Sequence, residues 1–349
     1  TIIVVFKRPK EKVLTENLTR FVAFKKPFEV VIDEDNLKAI AGAREKLKTE
    51  DFRCVPLTQG ELWQDGIAVE ETKQSEITGS EFIGKYAGNK RGGKYLRAPD
   101  IFFTILEKGK GKLVRLGDIA EVRRGFTTGA NEFFYLPSKY FDIKEDGDYY
   151  RLIPKQDGLP ADIRIEKEFL QKVIKSSKES KTPYIDRNKL NRLLFLCNIS
   201  EDELQEKEAF KYVEWGETQG FNQVPSCKSR KHWWSLGKRR IADIIIPPGF
   251  GDIFRVFSNR FSKVYADKRL YEIYYDEADL LHYYLNCTLF PMFADAGSRI
   301  GLGDGLLDLT VEEFDDILVA KPDIFNETAM TSKFLERDIG NVFTEAGIN

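Results

Sequence analysis

Apolar positions along this chain come in short runs broken by charge, a pattern that predicts small strands and short helices. Thr1–Phe6 is a continuous apolar run, β-branched at five of its six positions, and reads as a strand buried on both faces of an α/β sheet. Such a strand needs partners, so the chain reads as cut from a larger α/β protein. Lys7–Lys12 ends the run with charge and Pro9. Asp33–Lys48 carries Leu37, Ile40, Ala41 and Leu47 behind an acidic start, which predicts a helix. Leu14–Val31 and Asp51–Glu81 predict no single element. Gly84–Gly93, with Lys85, Lys90 and Arg91 among its glycines, reads as a linker.

Further on, Arg151–Pro154 and Leu193–Cys197 read as strands, Glu166–Lys175 as a helix and Ser176–Thr182 as a polar loop. Ser200 and Glu203 form the spacing of a capping box, starting a helix that runs to about Trp215. Ile241–Ile246 predicts a strand stopped by Pro247 and Pro248, and Phe254–Phe257 and Val264–Ala266 flank Ser258-Asn259 as a hairpin. Asp279–Ala296 predicts a helix bent at Pro291, and Thr310 with Glu313 a second capped helix before a strand at Ile317–Ala320. The fold class expected from this mixture is α+β, small sheets and helices, preceded by the remnant of an α/β domain.

The chain is organised around Arg115–Leu136. Apolar positions (Leu113, Val114, Leu116, Ile119, Val122, then Phe133–Leu136) flank a turn of Gly125, Thr127, Thr128, Gly129 and Asn131. Glycine and asparagine tolerate positive φ, so two strands meeting at a shaped loop are expected. Arg123 and Arg124 stand at its entrance, and its hydroxyl and amide groups are of the kind that bind phosphates and base edges.

Composition narrows the field. The 349 residues, 42% hydrophobic, can bury two or three cores. No apolar run is long enough to span a membrane, and no signal peptide opens the chain, so a cytoplasmic protein is expected. Cys54, Cys197, Cys227 and Cys287 form no Cys-x-x-Cys pair, and only His232 and His282 could offer imidazole, which excludes a multi-histidine metal site. The net charge of −2 conceals a segregation: Lys85–Arg124 carries a net +7 and Lys228–Arg269 a net +8. On one face these blocks would make a polyanion footprint; on different faces they would cancel.

The most basic run, Lys228–Arg240, interleaves cations with Trp233 and Trp234. That suits phosphate contact with stacking, or a core tryptophan pair under solvated charge. Gly297–Gly305 is glycine-rich but follows a helix, so a dinucleotide fingerprint is not expected; a close backbone approach with Arg299 projecting is. No nucleophile elbow or Walker loop is present.

Leu116–Gly125 followed by Thr128–Leu136 resembles the opening of the target recognition domain in adenine-specific N-6 DNA methyltransferases of restriction-modification systems. Tyr95–Asp100 with Phe102 and Phe103 is similar to the lead-in, Leu285–Phe290 and Gly301–Thr310 to the helix, glycine loop and capped helix near that domain's end, and Thr1–Arg8 to a late strand of the catalytic domain. Residues 31–83 and 137–225 match loosely.

The resemblance implies residues 1–94 as the end of a catalytic domain plus connector, 95–325 as the recognition domain and 326–349 as a helical tail. It implies double-stranded DNA and the upstream catalytic domain as partners. S-adenosylmethionine would serve the full-length enzyme. Neither the glycine motif that binds it nor the Asn-Pro-Pro-aromatic motif occurs here, so the chain itself is expected to hold no cofactor and transfer no methyl group. It would hold the duplex, read it and position it for base extrusion. Arg123, Arg124, Lys228, Arg230 and Lys231 are the expected positioning contacts, and Thr127, Thr128, Asn131, Asn259 and Arg299 the expected base or near-base contacts. The other reading is an assembly module whose basic face docks a partner subunit.

Overall fold

The first unit is built on β1 (Leu18–Phe24), which pairs antiparallel with β3 (Phe52–Thr58), Leu18 against Thr58 through Phe24 against Phe52. In the computed structural model, which describes residues 4–5, 15–66, 92–96, 98–138, 140–159, 163–300, 307–321 and 335–336, this unit gathers residues up to Gly109 with Asp295–Arg299. Between the two strands lie α1 (Phe28–Val31), α2 (Glu34–Gly42) and β2 (Leu47–Lys48). Asp33 caps α2 by accepting from the Asn36 amide at 2.7 Å. The helix stops at Gly42, short of the expected Lys48, because Leu47 and Lys48 pair with Cys54 and Arg53. A Thr58–Glu61 capping box then starts α3 (Gln59–Gln64), and α4 (Gly92–Leu96) and α5 (Asp100–Lys108) follow. Arg53 is fully buried and donates to the carbonyl oxygens of Tyr95, Leu96 and Ala98, satisfying the end of α4.

The run expected to be a buried opening strand is not one where it is described: Val4 and Val5 lie outside any strand and are exposed. They have no ladder partner among the described residues. The linker expected at Gly84–Gly93 lies outside the described residues except for Gly92 and Gly93, which open α4.

The second unit, Lys110–Ala294 with Ile300–Arg337, runs β4 (Leu113–Arg115), α6 (Leu116–Ile119), β5 (Glu121–Arg124), α7 (Asn131–Phe134) and β6 (Tyr135–Pro137). A hairpin of β7 (Phe141–Asp146) and β8 (Tyr149–Pro154) leads to β9 (Ile163–Glu166), β10 (Leu170–Ile174), β11 (Arg192–Phe195), α8 (Glu201–Gln205), α9 (Ala209–Thr218) and α10 (Pro225–Lys228). Then come β12 (Ile244–Ile246), β13 (Gly249–Phe250), β14 (Ile253–Phe254), β15 (Phe257–Ser258), β16 (Tyr265–Ala266) and β17 (Tyr271–Tyr274). The chain continues with α11 (Ala278–Leu285), α12 (Leu289–Gly297), β18 (Arg299–Ile300), β19 (Leu307–Asp308), α13 (Val311–Asp315), β20 (Leu318–Ala320) and β21 (Leu335–Glu336), of which Asp295–Arg299 count with the first unit. Among the described residues no sheet exceeds four strands, and the class is α+β. The two widest sheets run β16-β10-β11-β6 and β15-β12-β17-β5.

Several expected elements are recast by pairing. Arg115–Leu136 is not one hairpin: β5 pairs with β17 and β6 with β11, so its two strands enter different sheets. Phe254–Ala266 is not a hairpin either, since β15 joins β12 while β16 lies parallel to β10. Glu166–Lys175 was expected to be helical, yet only Lys167–Phe169 forms a helical turn. Leu170–Ile174 is a strand between two partners, with Leu170, Val173 and Ile174 buried. The helix from Ser200 keeps its capping box but breaks before Ala209, and the long helix around Pro291 becomes α11 and α12, with the proline in the first turn of the second. Of the expected helical tail 326–349, only Leu335 and Glu336 are described, and they form a strand paired with β14.

The largest core centres on Phe133, fully buried, which stacks on Tyr212 at 4.8 Å and meets Trp233 at 4.7 Å. Gly216 is required here, because a Cβ would come within 2.6 Å of both the Phe133 and Trp233 rings. Among the described residues no helix is long and apolar enough to cross a membrane.

His282 on α11 is buried, its Nε2 3.2 Å from the Val256 carbonyl oxygen. Burial pushes its imidazole below the ordinary histidine range, against backbone hydrogen bonds that pull it up. The unfolded chain therefore binds this proton at higher pH than the folded one. The residue's contribution is whole above the ordinary range and is lost as pH falls through it. Urea unfolding at roughly pH 7.5 and 5.5 is expected to give a lower midpoint in acid, and His282→Gln to shrink that difference. An unchanged difference in the variant would refute this.

Candidate functional site

The loop between β5 and α7 is fixed from two sides. On one side its backbone is sewn to the segment before β17: Gly125 N–H donates to Leu270 O at 2.9 Å, Phe126 N–H to Ala266 O at 2.8 Å, and Lys268 N–H to Phe126 O at 2.9 Å. Gly125 is needed because a Cβ would lie 2.4 Å from the Asp267 carbonyl oxygen. On the other side α10 and its continuation close over the loop. Arg230 donates to the carbonyl oxygens of Thr127 at 3.0 Å and Thr128 at 2.8 Å, and its guanidinium sits 5.3 Å from the Phe134 ring centre. Gly129 has φ +78°, and a Cβ there would meet the Ser226 hydroxyl at 2.1 Å.

Beneath the loop, Asp267 is buried and accepts from the Tyr135 hydroxyl at 2.5 Å and from the Arg269 backbone N–H and Nε at 3.1 and 2.9 Å. Burial first, and then this bond, hold the Tyr135 phenol far above its usual range. A second buried acid, Glu272 on β17, is paired with Arg239 at 2.9 Å and accepts from the Tyr274 hydroxyl at 2.9 Å. Burial pushes the Glu272 carboxyl up, and Arg239 pulls it back. Arg239 also donates to Arg124 O at 2.8 Å and lies 4.6 Å from the centre of the Phe126 ring. Arg240 bonds Glu121 at 3.0 Å over the Tyr274 ring.

The ends of the two basic blocks thus meet. The β5–β17 register sets Arg124 against Tyr271 and Arg123 against Glu272, and the loop's straps come from residues 226–230 and 266–270. Arg123, Arg124, Thr127, Asn131, Lys228, Lys231, Lys268 and Arg269 are exposed. Arg123 pairs with Glu121, and Arg124 stands 5.7 Å from the Tyr271 ring centre.

Three expected contacts change role. Thr128 is buried, its hydroxyl donating to Asn131 Oδ1 at 2.6 Å, so it shapes the loop from inside rather than facing a base. Asn259 is fully buried and spends its amide on Ala242 O, Val264 O and the Val264 N–H, which leaves nothing to offer a base. Arg230 is committed to the loop's carbonyls as a clamp. Trp233 and Trp234 are both buried, which settles that pair as core. Arg299 opens β18, and residues 301–306 of the glycine-rich segment lie outside the described residues. Sequence reasoning missed Asp267 and Glu272: nothing in Ala-Asp-Lys-Arg or Tyr-Glu-Ile-Tyr marks a carboxylate as buried until its partners are known. Among the described residues no group of histidine, cysteine and carboxylate side chains is arranged to hold a metal.

The loop, its straps and the sheets beneath them fall within residues 99–342, the stretch matched by a family model for a methyltransferase C-terminal domain. The chain belongs to the family described as Type II methyltransferase M.Eco57I, C-terminal domain. Among solved structures it is similar to the type IIG restriction endonuclease BpuSI, at 12% identity and a TM-score of 0.44, over 95% of this chain and 38% of that one. The chain therefore spans well under half the length of that protein. No curated protein sequence matches it.

Removing one partner of a buried ion pair strands the other charge. Arg239→Ala is expected to lower stability by about 3–5 kcal/mol, read from urea unfolding, whereas Arg240→Ala, whose partner Glu121 is exposed to water, is expected to cost under about 1 kcal/mol. Equal losses would contradict the assignment of Glu272 as the buried anchor.

Proposed function

We propose that this chain is the sequence-specific duplex-DNA recognition module of an adenine N-6 DNA methyltransferase of a restriction-modification system. Residues 95–325 would form the recognition domain, holding the duplex so that the catalytic part, with its S-adenosylmethionine, can reach an extruded adenine. The observation that carries this reading is the convergence of the two basic blocks on the loop at Gly125–Ala130, where exposed cations surround exposed hydrogen-bonding side chains. Arg123, Arg124, Lys228 and Lys231, with Lys268 beside the loop, would grip phosphates. Thr127 and Asn131 would face base edges. Family membership supports the methyltransferase setting, and the geometry supplies the surface.

Selection of retained duplexes from a random-sequence pool tests it. Enrichment of a motif several base pairs long is expected, with affinity falling steeply as salt rises. Arg124→Ala is expected to weaken binding on all sequences and flatten the salt slope by about one phosphate contact, or, if Arg124 reads guanine, to relax one position by about 1–3 kcal/mol. Absence of retention at low salt would refute the reading and favour docking of a partner subunit.

A further inference from the structure

Among the described residues of the second unit, Phe261 is the most exposed large apolar side chain, 78% accessible, at the tip of a turn that is otherwise rigid. The turn runs from β15 to β16 and is tied down residue by residue. Asn259 N–H donates to Asp243 O at 2.9 Å, and the Asn259 side chain bridges Ala242 O, Val264 O and the Val264 N–H at 2.8 to 3.0 Å. Lys263 N–H closes the turn on Asn259 O at 2.9 Å, the Ser262 hydroxyl donates to Ile185 O, and Arg187 donates to Ser262 O and Lys263 O at 3.1 and 3.0 Å. Lys263 is held at φ +46°, the one described non-glycine residue with positive φ. A strained conformation persists only where its surroundings over-determine it, and such places concentrate at functional sites.

All this order serves no packing of Phe261. Holding a phenyl ring in water forgoes the stabilisation its burial would give. The flanks are cationic: Arg260 lies 5.9 Å from the Phe261 ring centre and pairs with Asp279, while Lys263 on the other flank is exposed, and Arg187 reaches the turn from below. The turn is also close to the loop of the proposed interface. Phe261 is five residues from Ala266, whose carbonyl accepts from Phe126, so the chain between them spans at most about 18 Å. That distance is on the order of five base-pair rises, within one recognition footprint.

We propose that Phe261 is an aromatic wedge that inserts against the base stack of bound duplex DNA, with Arg260 and Lys263 on the adjoining phosphates. A rigid turn suits this, because the ring must be driven between stacked bases without first being ordered, and the bend so opened lets more of the protein reach the backbone. Asn259, buried in the same turn and bonded to Ala242 and Val264, holds the turn that presents the ring without touching the nucleic acid. The proposal rests on the DNA-recognition reading and adds to it a contact that deforms the duplex.

The test uses the full chain and duplexes retained from the random pool, resynthesised with 2-aminopurine at each adenine position in turn. Wild type is expected to raise the fluorescence at one step as the bases there unstack. Phe261→Ala is expected to abolish that rise and weaken binding roughly 5- to 100-fold with an unchanged salt slope, and Phe261→Trp to restore both. The urea midpoint of Phe261→Ala is expected to match wild type, since the ring stands largely in water beside the surface Arg260. DNA retention with identical affinity and fluorescence in wild type and Phe261→Ala overturns the wedge and leaves the recognition reading standing. Loss of self-association by sedimentation in Phe261→Ala, with DNA binding unchanged, makes the ring a protein contact and overturns the wedge too. A pool from which nothing is retained removes both.

Discussion

A single buried carboxylate joins the sheets to the loop they present. Asp267 takes the Tyr135 hydroxyl from one sheet and Arg269 from the surface, while its backbone N–H reaches Ile174 O at 3.0 Å. A carboxylate withdrawn from water must find compensating donors, and here those donors come from separate elements that therefore have to meet at one point. Phe126 bridges to the same residue, so the loop cannot shift without disturbing this knot. The neighbouring Glu272–Arg239 pair repeats the device on β17 and ties in Arg124 through its carbonyl.

Small sheets make such polar knots necessary. With no sheet wider than four strands among the described residues, no one ladder spans the second unit. The apolar core around Phe133 supplies burial but little direction, because hydrophobic contact is non-directional. Hydrogen bonds to buried acids supply the missing orientation. Each buried acid has a partner far away in the chain, Tyr135 for Asp267 and Arg239 for Glu272, so orientation is set only when the whole unit is assembled.

Local signals were legible and pairings were not. The capping boxes at Ser200–Glu203 and Thr310–Glu313 and the strands at Leu193 and Ile244 are visible in the chain because caps and β-branched runs are local chemistry. Leu170–Ile174 read as a helix because its strand character comes from β11 and β16, which no window around it contains. The importance of Arg115–Leu136 was legible from its glycines and arginines, but its division between two sheets was not. Asn259 and Thr128 carry the chemistry of a base reader and act instead inside the turns they occupy. Side-chain type records what a residue can bond; burial decides with what.

The straps on Gly125–Ala130 have one more consequence. They run from backbone to backbone, or from Arg230 to backbone carbonyls, and apart from the two glycines they ask nothing of the loop's outward side chains. Thr127 can therefore be exchanged for residues of other shape and bonding pattern without loosening the frame that holds it, whereas Asn131 also accepts from the buried Thr128 hydroxyl and is part of that frame. Such a loop is a fixed socket with an interchangeable pin. The outward position is separable from the fold that carries it.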